Sequence, residues 1–137
     1  MTLNIEALEN SFAQIQPLAP EFAASFYQNL FADYPEVQPL FAHTDMSEQR
    51  KHLIKALVLV IENLTKPDVL NNALKEMGAR HLKYGTIEEY YPMVGASLLK
   101  TFEFYLGANW NEEVKQSWCD AYEAIAQLML QGAKSVS

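Results

Sequence analysis

Apolar residues recur three and four positions apart in almost every segment of this chain, and no segment shows the apolar–polar alternation of a strand. That period lines side chains up on one face of a helix, so the chain can fold only by packing helices against one another. Prolines punctuate the pattern. Ile5, Leu8, Phe12 and Ile15 form the first apolar row, which Pro17 stops. Pro20 suits the first turn of a second helix and Glu21 is favourable to its dipole. Phe22, Phe26, Tyr27 and Leu30 then carry its apolar face up to Asp33. Pro35 and Pro39 leave room for one or two turns before Phe41, and 42–46 reads as a loop.

Asp45 and Glu48, spaced as a capping box, open the next helix, whose stripe is Gln49, Leu53, Leu57, Val60 and Leu64. Its first member is polar. A second row, Ile54, Val58 and Ile61, makes this helix apolar on both flanks, which predicts a helix sandwiched between neighbours and broken by Pro67. Leu70, Leu74, Met77 and His81 share one face of the helix that follows, so a single imidazole ends an apolar stripe. Lys75, Glu76, Arg80 and Lys83 take its other face, Gly78 removes bulk one turn before His81, and Gly85 is placed to form a left-handed cap. Thr86 and Glu89 form another capping-box pair. They open a long helix with Tyr91, Val94, Leu98, Phe102 and Tyr105 inward, Pro92 in its first turns and Gly107 at its end. Asn111 caps the last helix, where Val114, Trp118, Tyr122, Ile125 and Met129 line the core before a small-residue tail from Gly132 that is expected to fray.

With half of its 137 residues hydrophobic and only five glycines and six prolines, the chain is expected to form one domain, 1–137, with a packed core. A net charge of −7 repels nucleic acid and anionic membrane surfaces, which excludes both as partners. The one cysteine, Cys119, excludes an internal disulfide and, at helical spacing beside Trp118 and Tyr122, reads as a buried structural thiol. Residues 1–10 are acidic and show no basic start followed by an apolar core. The longest apolar run, 56–61, is too short to cross a bilayer, and a cytoplasmic location is expected.

The chain has no Gly-rich phosphate loop, no paired-cysteine metal site, no His-x-x-His or HExxH pair and no nucleophile elbow around a serine. What stands out is an imidazole ending an apolar stripe, a polar residue heading an apolar helix, and a tyrosine on a third apolar face. Two readings of His81 are open at this point. It is either a core histidine satisfied by a backbone carbonyl, or a metal ligand on one wall of a cavity able to take something large, flat and apolar.

The run Phe26-Tyr27-x-Asn29-Leu30-Phe31, the turn Pro35-Glu36-Val37-x-Pro39-Leu40-Phe41, the stretch Arg80-His81-x-x-Tyr84-Gly85, and Tyr91-Pro92-x-Val94-Gly95 occur in order along an all-helical chain. Together they resemble the bacterial single-domain globins, of the Vitreoscilla haemoglobin type and the globin part of flavohaemoglobins, over nearly the whole length. The resemblance implies an all-α globin fold of about six to eight helices around a haem pocket, with haem b as cofactor. It implies that His81 is the proximal iron ligand and that Phe41 stacks on the porphyrin. It further implies that Tyr27 and Gln49 are distal hydrogen-bond donors, with Leu53 as the apolar wall beside Gln49 and Met77 and Tyr91 as further cofactor contacts. Where flavohaemoglobin-like globins carry a Glu against the proximal imidazole, this chain has Ala133, so a backbone carbonyl is left to orient His81. His52, three residues after Gln49, is a candidate sixth ligand or a flanking surface histidine, His43 is expected to be exposed, and Arg50, Lys51 and Lys83 are candidates to pair with haem propionates. The implied function is reversible binding of O2, and of NO and CO. The alternatives are nitric oxide dioxygenation with a separate electron-donating reductase, a haem-based gas sensor, and a haem-free signalling or structural module.

Overall fold

The first helix, α1 (Ile5–Ile15), starts where a side chain can satisfy it, since Asn4 Oδ1 accepts the Ala7 N–H at 3.1 Å. The structure is a computed structural model that describes residues 4–83 and 86–135, the side chains of Lys83 and Ser135 excepted. After α1 a single 3₁₀ turn, Gln16–Leu18, leads into α2 (Ala19–Asp33), with Pro20 in its first turn. The two prolines at 35 and 39 sit in a 3₁₀ segment, Pro35–Phe41. Asp45 caps α3 (Met46–Glu62) by accepting from the Ser47 and Glu48 N–H groups. Pro67 does not break that helix: α3 has already ended, and Pro67 begins α4 (Pro67–Lys83), a position where its missing N–H costs nothing. α5 (Tyr90–Leu106) ends at Gly107, whose φ of +52° suits a residue without Cβ. Asn111 Oδ1 accepts the Val114 N–H at 2.9 Å and opens α6 (Glu112–Ser135).

Two further expectations differ from what is observed, and a third is not open to comparison. Thr86 and Glu89 form no capping box; the Thr86 N–H donates to the His81 carbonyl at 3.0 Å, and Glu89 makes no capping bond. The tail does not fray at Gly132, because α6 continues to Ser135 with Gly132 buried against α4. Gly85, the expected cap of α4, lies outside the described residues.

The core is built from α1, α2, α5 and α6, where Phe12, Phe22, Phe26, Phe102 and Trp118 are fully buried. Phe102 stacks on Trp118 with centroids 4.2 Å apart and meets Phe22 at 4.8 Å. The buried indole N–H donates to Ser11 Oγ at 2.8 Å, so its polar edge is satisfied. A second cluster, Val60, Leu70, Leu74, Tyr91 and Met129, ties the joint between α3 and α4 to α5 and α6.

α2 is held to α5 by a polar seam that the apolar pattern does not reveal. Ser25 Oγ meets Tyr105 Oη at 2.7 Å, Asn29 Nδ2 donates to Thr101 Oγ1 at 3.1 Å, and Lys100 pairs with Asp33 at 2.9 Å. Ser25, Asn29 and Asp33 are four residues apart and share a face. Tyr27, two residues past Ser25 and hence about 200° round the helix, is therefore turned away from α5.

Candidate functional site

α3 and α4 are consecutive, yet they pack on different partners: α3 on α2, α4 on α6, and they meet each other only near the joint at 63–66. Gln49 stands fourteen residues before Asn63 and His81 fifteen after Lys66, so both are roughly 21–23 Å from the joint at about 1.5 Å per residue. The sandwiched α3 expected from its two apolar rows is not what forms. Only Leu57 and Val60 are buried, while Leu53, Ile54, Val58, Ile61 and Leu64 remain half-buried. Both rows of α3 thus pack against the core while leaving part of their apolar surface uncovered.

On this side the chain brings three of the expected residues together. Tyr27 is buried on α2, and Gln49 Nε2 donates to its hydroxyl at 3.0 Å. The amide can only donate there, so the phenol oxygen accepts, and among the described residues no acceptor takes the phenol's own proton. Burial raises the Tyr27 pKa above its usual value, and the bond from Gln49 opposes this only in part, so the phenol is a neutral donor at physiological pH. Phe41, half-buried at the end of its 3₁₀ segment, lies edge-on to Tyr27 with centroids 5.8 Å apart and 5.4 Å from Phe31. Leu53 is half-buried one turn beyond Gln49.

His81 stands on α4, where its Nδ1 lies 2.7 Å from the Met77 carbonyl oxygen. A carbonyl can only accept, so Nδ1 carries the proton and Nε2 keeps its lone pair. Burial lowers the His81 pKa, against the Met77 carbonyl and with a small contribution from Arg80, which keeps the ring neutral and able to ligate. The bond fits the reading of His81 as a histidine satisfied by a backbone carbonyl, and it fixes the tautomer in which Nε2 is the nitrogen that a metal would take. Met77 is half-buried against the cluster that contains Leu70, Leu74 and Tyr91, which places Tyr91 beside the α4 stripe. The Tyr91 carbonyl accepts from Tyr122 Oη at 2.6 Å, and burial raises the pKa of both phenols.

His43 and His52 are exposed, so His52 has the character of a flanking surface residue. Lys51 is exposed and paired with Glu48 at 3.4 Å; Arg50 is half-buried with no ion-pair partner among the described residues; the Lys83 side chain lies outside them. Cys119 is not buried as expected. It is half-exposed in a surface groove of about 500 Å³ between α5 and α6, because Trp118 takes the inward position beside it. Gly132 and the Ser25–Asn29–Asp33 face escaped sequence reasoning. A glycine inside a helical stretch was the only signal for the first, and polar residues four apart for the second.

An all-helical chain with a metal-competent imidazole on one helix and a buried donor pair across α2 and α3 has a counterpart among known families. The globin family matches residues 24–129. The chain belongs to the globin family. Among solved structures this globin is similar to a bacterial globin from Campylobacter jejuni, with a TM-score of 0.83 and 28% identity over 96% of this chain and 95% of that one. It is also similar to an engineered carbene transferase from Rhodothermus marinus, provisionally named a nitric oxide dioxygenase. That likeness has a TM-score of 0.85 and 26% identity, over 96% of this chain and 92% of that one. A flavohaemoprotein of Bacillus cereus is 30% identical over 131 residues, 92% of this chain and 31% of that protein. The globin spans about a quarter to a third of the length of the flavohaemoproteins that it matches.

Family membership implies haem binding, and the residues present fit such a group. His81 offers a nitrogen lone pair, the half-buried apolar rows of α3 and Met77 of α4 offer walls for a flat ring, and the Tyr27 proton has no acceptor among the described residues.

Proposed function

We propose that this globin holds haem b between α3 and α4, with His81 as the iron ligand from the protein, and binds O2 reversibly, with NO and CO as competing ligands. Residues 1–137 act as one globin domain in this reading. When bound, the haem would supply an iron able to take a diatomic gas.

The observation that carries the proposal is the directed bond from Gln49 to Tyr27. By occupying the phenol oxygen, the amide leaves the phenol proton to point at a ligand atom that gathers negative charge, as O2 does and CO does much less. Held on the Met77 carbonyl, His81 presents the nitrogen opposite its proton. Phe41, Leu53 and Met77 would line the ring and keep water from it, and Tyr91 packs in the cluster that contains the α4 stripe leading to His81. Arg50, half-buried and with no ion-pair partner among the described residues, is suited to a propionate.

The test is an optical titration of the reduced, haem-loaded protein with O2. Full reversal of the spectral change on removing the gas supports the proposal, and a protein that oxidises irreversibly on first contact contradicts it.

A second reading is favoured by the names of the flavohaemoproteins and of the Rhodothermus marinus neighbour. NO, O2 and one electron combine to nitrate, with the electron from a separate reductase, and the Tyr27–Gln49 pair would hold O2 in place for attack. Nitrate formed continuously only when a reductase is added supports this reading, and NO consumption limited to one equivalent under the same conditions contradicts it.

A further inference from the structure

Two glycines bring the backbones of α4 and α6 together one turn before His81 and near the end of α6. A Cβ built on Gly78 of α4 would collide with the Met129 carbonyl of α6, and one built on Gly132 of α6 would collide with the Lys75 carbonyl of α4. The two contacts are reciprocal. Each glycine faces the residue three positions before the other, so the helices cross antiparallel with backbone resting on backbone at two points. α4 and α6 also share the most extensive helix–helix contact in the fold, whereas α4 has little direct contact with α3.

The carbonyl that holds the His81 ring belongs to the peptide between Met77 and Gly78. That peptide is planar and rigid, so the atom that accepts from Nδ1 and the glycine seated on α6 move together. We propose that Gly78 and Gly132 are positioning residues for the proximal imidazole. By seating the Met77–Gly78 peptide on α6, they fix the direction in which His81 presents Nε2. The inference rests on the reading of His81 as the iron ligand. It assigns to α6, which supplies no ligand, control over the ligand's orientation. Any side chain at either position must part the helices, because the colliding atoms are backbone and cannot swing aside.

The experiment uses the haem-loaded ferrous protein and compares Gly132→Ala and Gly78→Ala with Phe102→Leu. Phe102 is a fully buried core residue of α5 that serves as the control for lost stability alone. The iron–histidine stretching band in resonance Raman is expected to shift in both glycine variants, with haem loss to an excess apoprotein acceptor faster by about tenfold. In Phe102→Leu the band stays in place although the melting temperature falls. Glycine variants that lose stability like Phe102→Leu but keep the native band overturn the proposal and leave the reading of His81 intact. Absence of an iron–histidine band in the native protein overturns that reading itself. Should neither glycine variant fold, NMR of the native ferrous carbonyl form decides. A His81 Nδ1–H proton in slow exchange supports the seated peptide, and one exchanging freely with solvent contradicts it.

Discussion

At the scale of single residues the account turns on two hydrogen bonds, Gln49 to Tyr27 and His81 to the Met77 carbonyl. A hydrogen bond to a charged acceptor is worth about 1.5–3 kcal/mol, so Tyr27→Phe should speed O2 release by about 10- to 100-fold in stopped-flow displacement. Gln49→Leu should speed release by about three- to tenfold in the native background and by less than about twofold in Tyr27→Phe, since its effect runs through the phenol. Equal effects of Gln49→Leu in the two backgrounds would mean that the amide touches the ligand itself. The pH dependence has a definite sign. The folded-state pKa of Tyr27 lies above the usual 10.0, so the donor is protonated below pH 10 and is lost only as pH rises past that folded value. Release of O2 should therefore be flat between about pH 7 and 9. A release rate that climbs through that interval would assign the controlling proton to another group.

At the scale of elements, α1 is joined to α6 by the indole of Trp118, whose N–H has Ser11 Oγ as its partner in a fully buried setting. Removing only the acceptor leaves the donor unsatisfied, so Ser11→Ala should destabilise the fold by about 1–3 kcal/mol. Urea unfolding is the measurement. In a Trp118→Phe background, where the donor is gone, the same serine substitution should cost well under half as much. Equal costs in both backgrounds would place the serine's contribution in its own bonds to Ala7 and Leu8 of α1.

At the scale of the whole molecule, what could be read in advance was whatever is local. Proline, glycine and Asx signals at Pro20, Asp45, Gly107 and Asn111 mark helix ends within a single turn, and the structure agrees with them. Tyr27, Gln49 and His81 stood out because each is a polar residue on an otherwise apolar face. Pro67 and the Thr86–Glu89 pair are local signals that misled, one by opening α4 after α3 had ended and the other by forming no capping bond, and what a helical period cannot specify at all is which helix a face meets. Apolar rows on two sides of α3 do not say how much of each row its neighbours will cover. The spacing of Cys119 does not say that a groove opens beside it. Gly132 looks like the start of a loose tail unless its partner Gly78 is known to cross it.

The bond between the residue-81 imidazole and haem iron supports everything else, and it can be tested with the ring taken out and handed back. Haem-loaded His81→Gly should lose the native Soret spectrum and the iron–histidine stretching band, and free imidazole added to the solution should restore both. A His81→Gly protein whose spectrum matches the native one without imidazole would contradict the account.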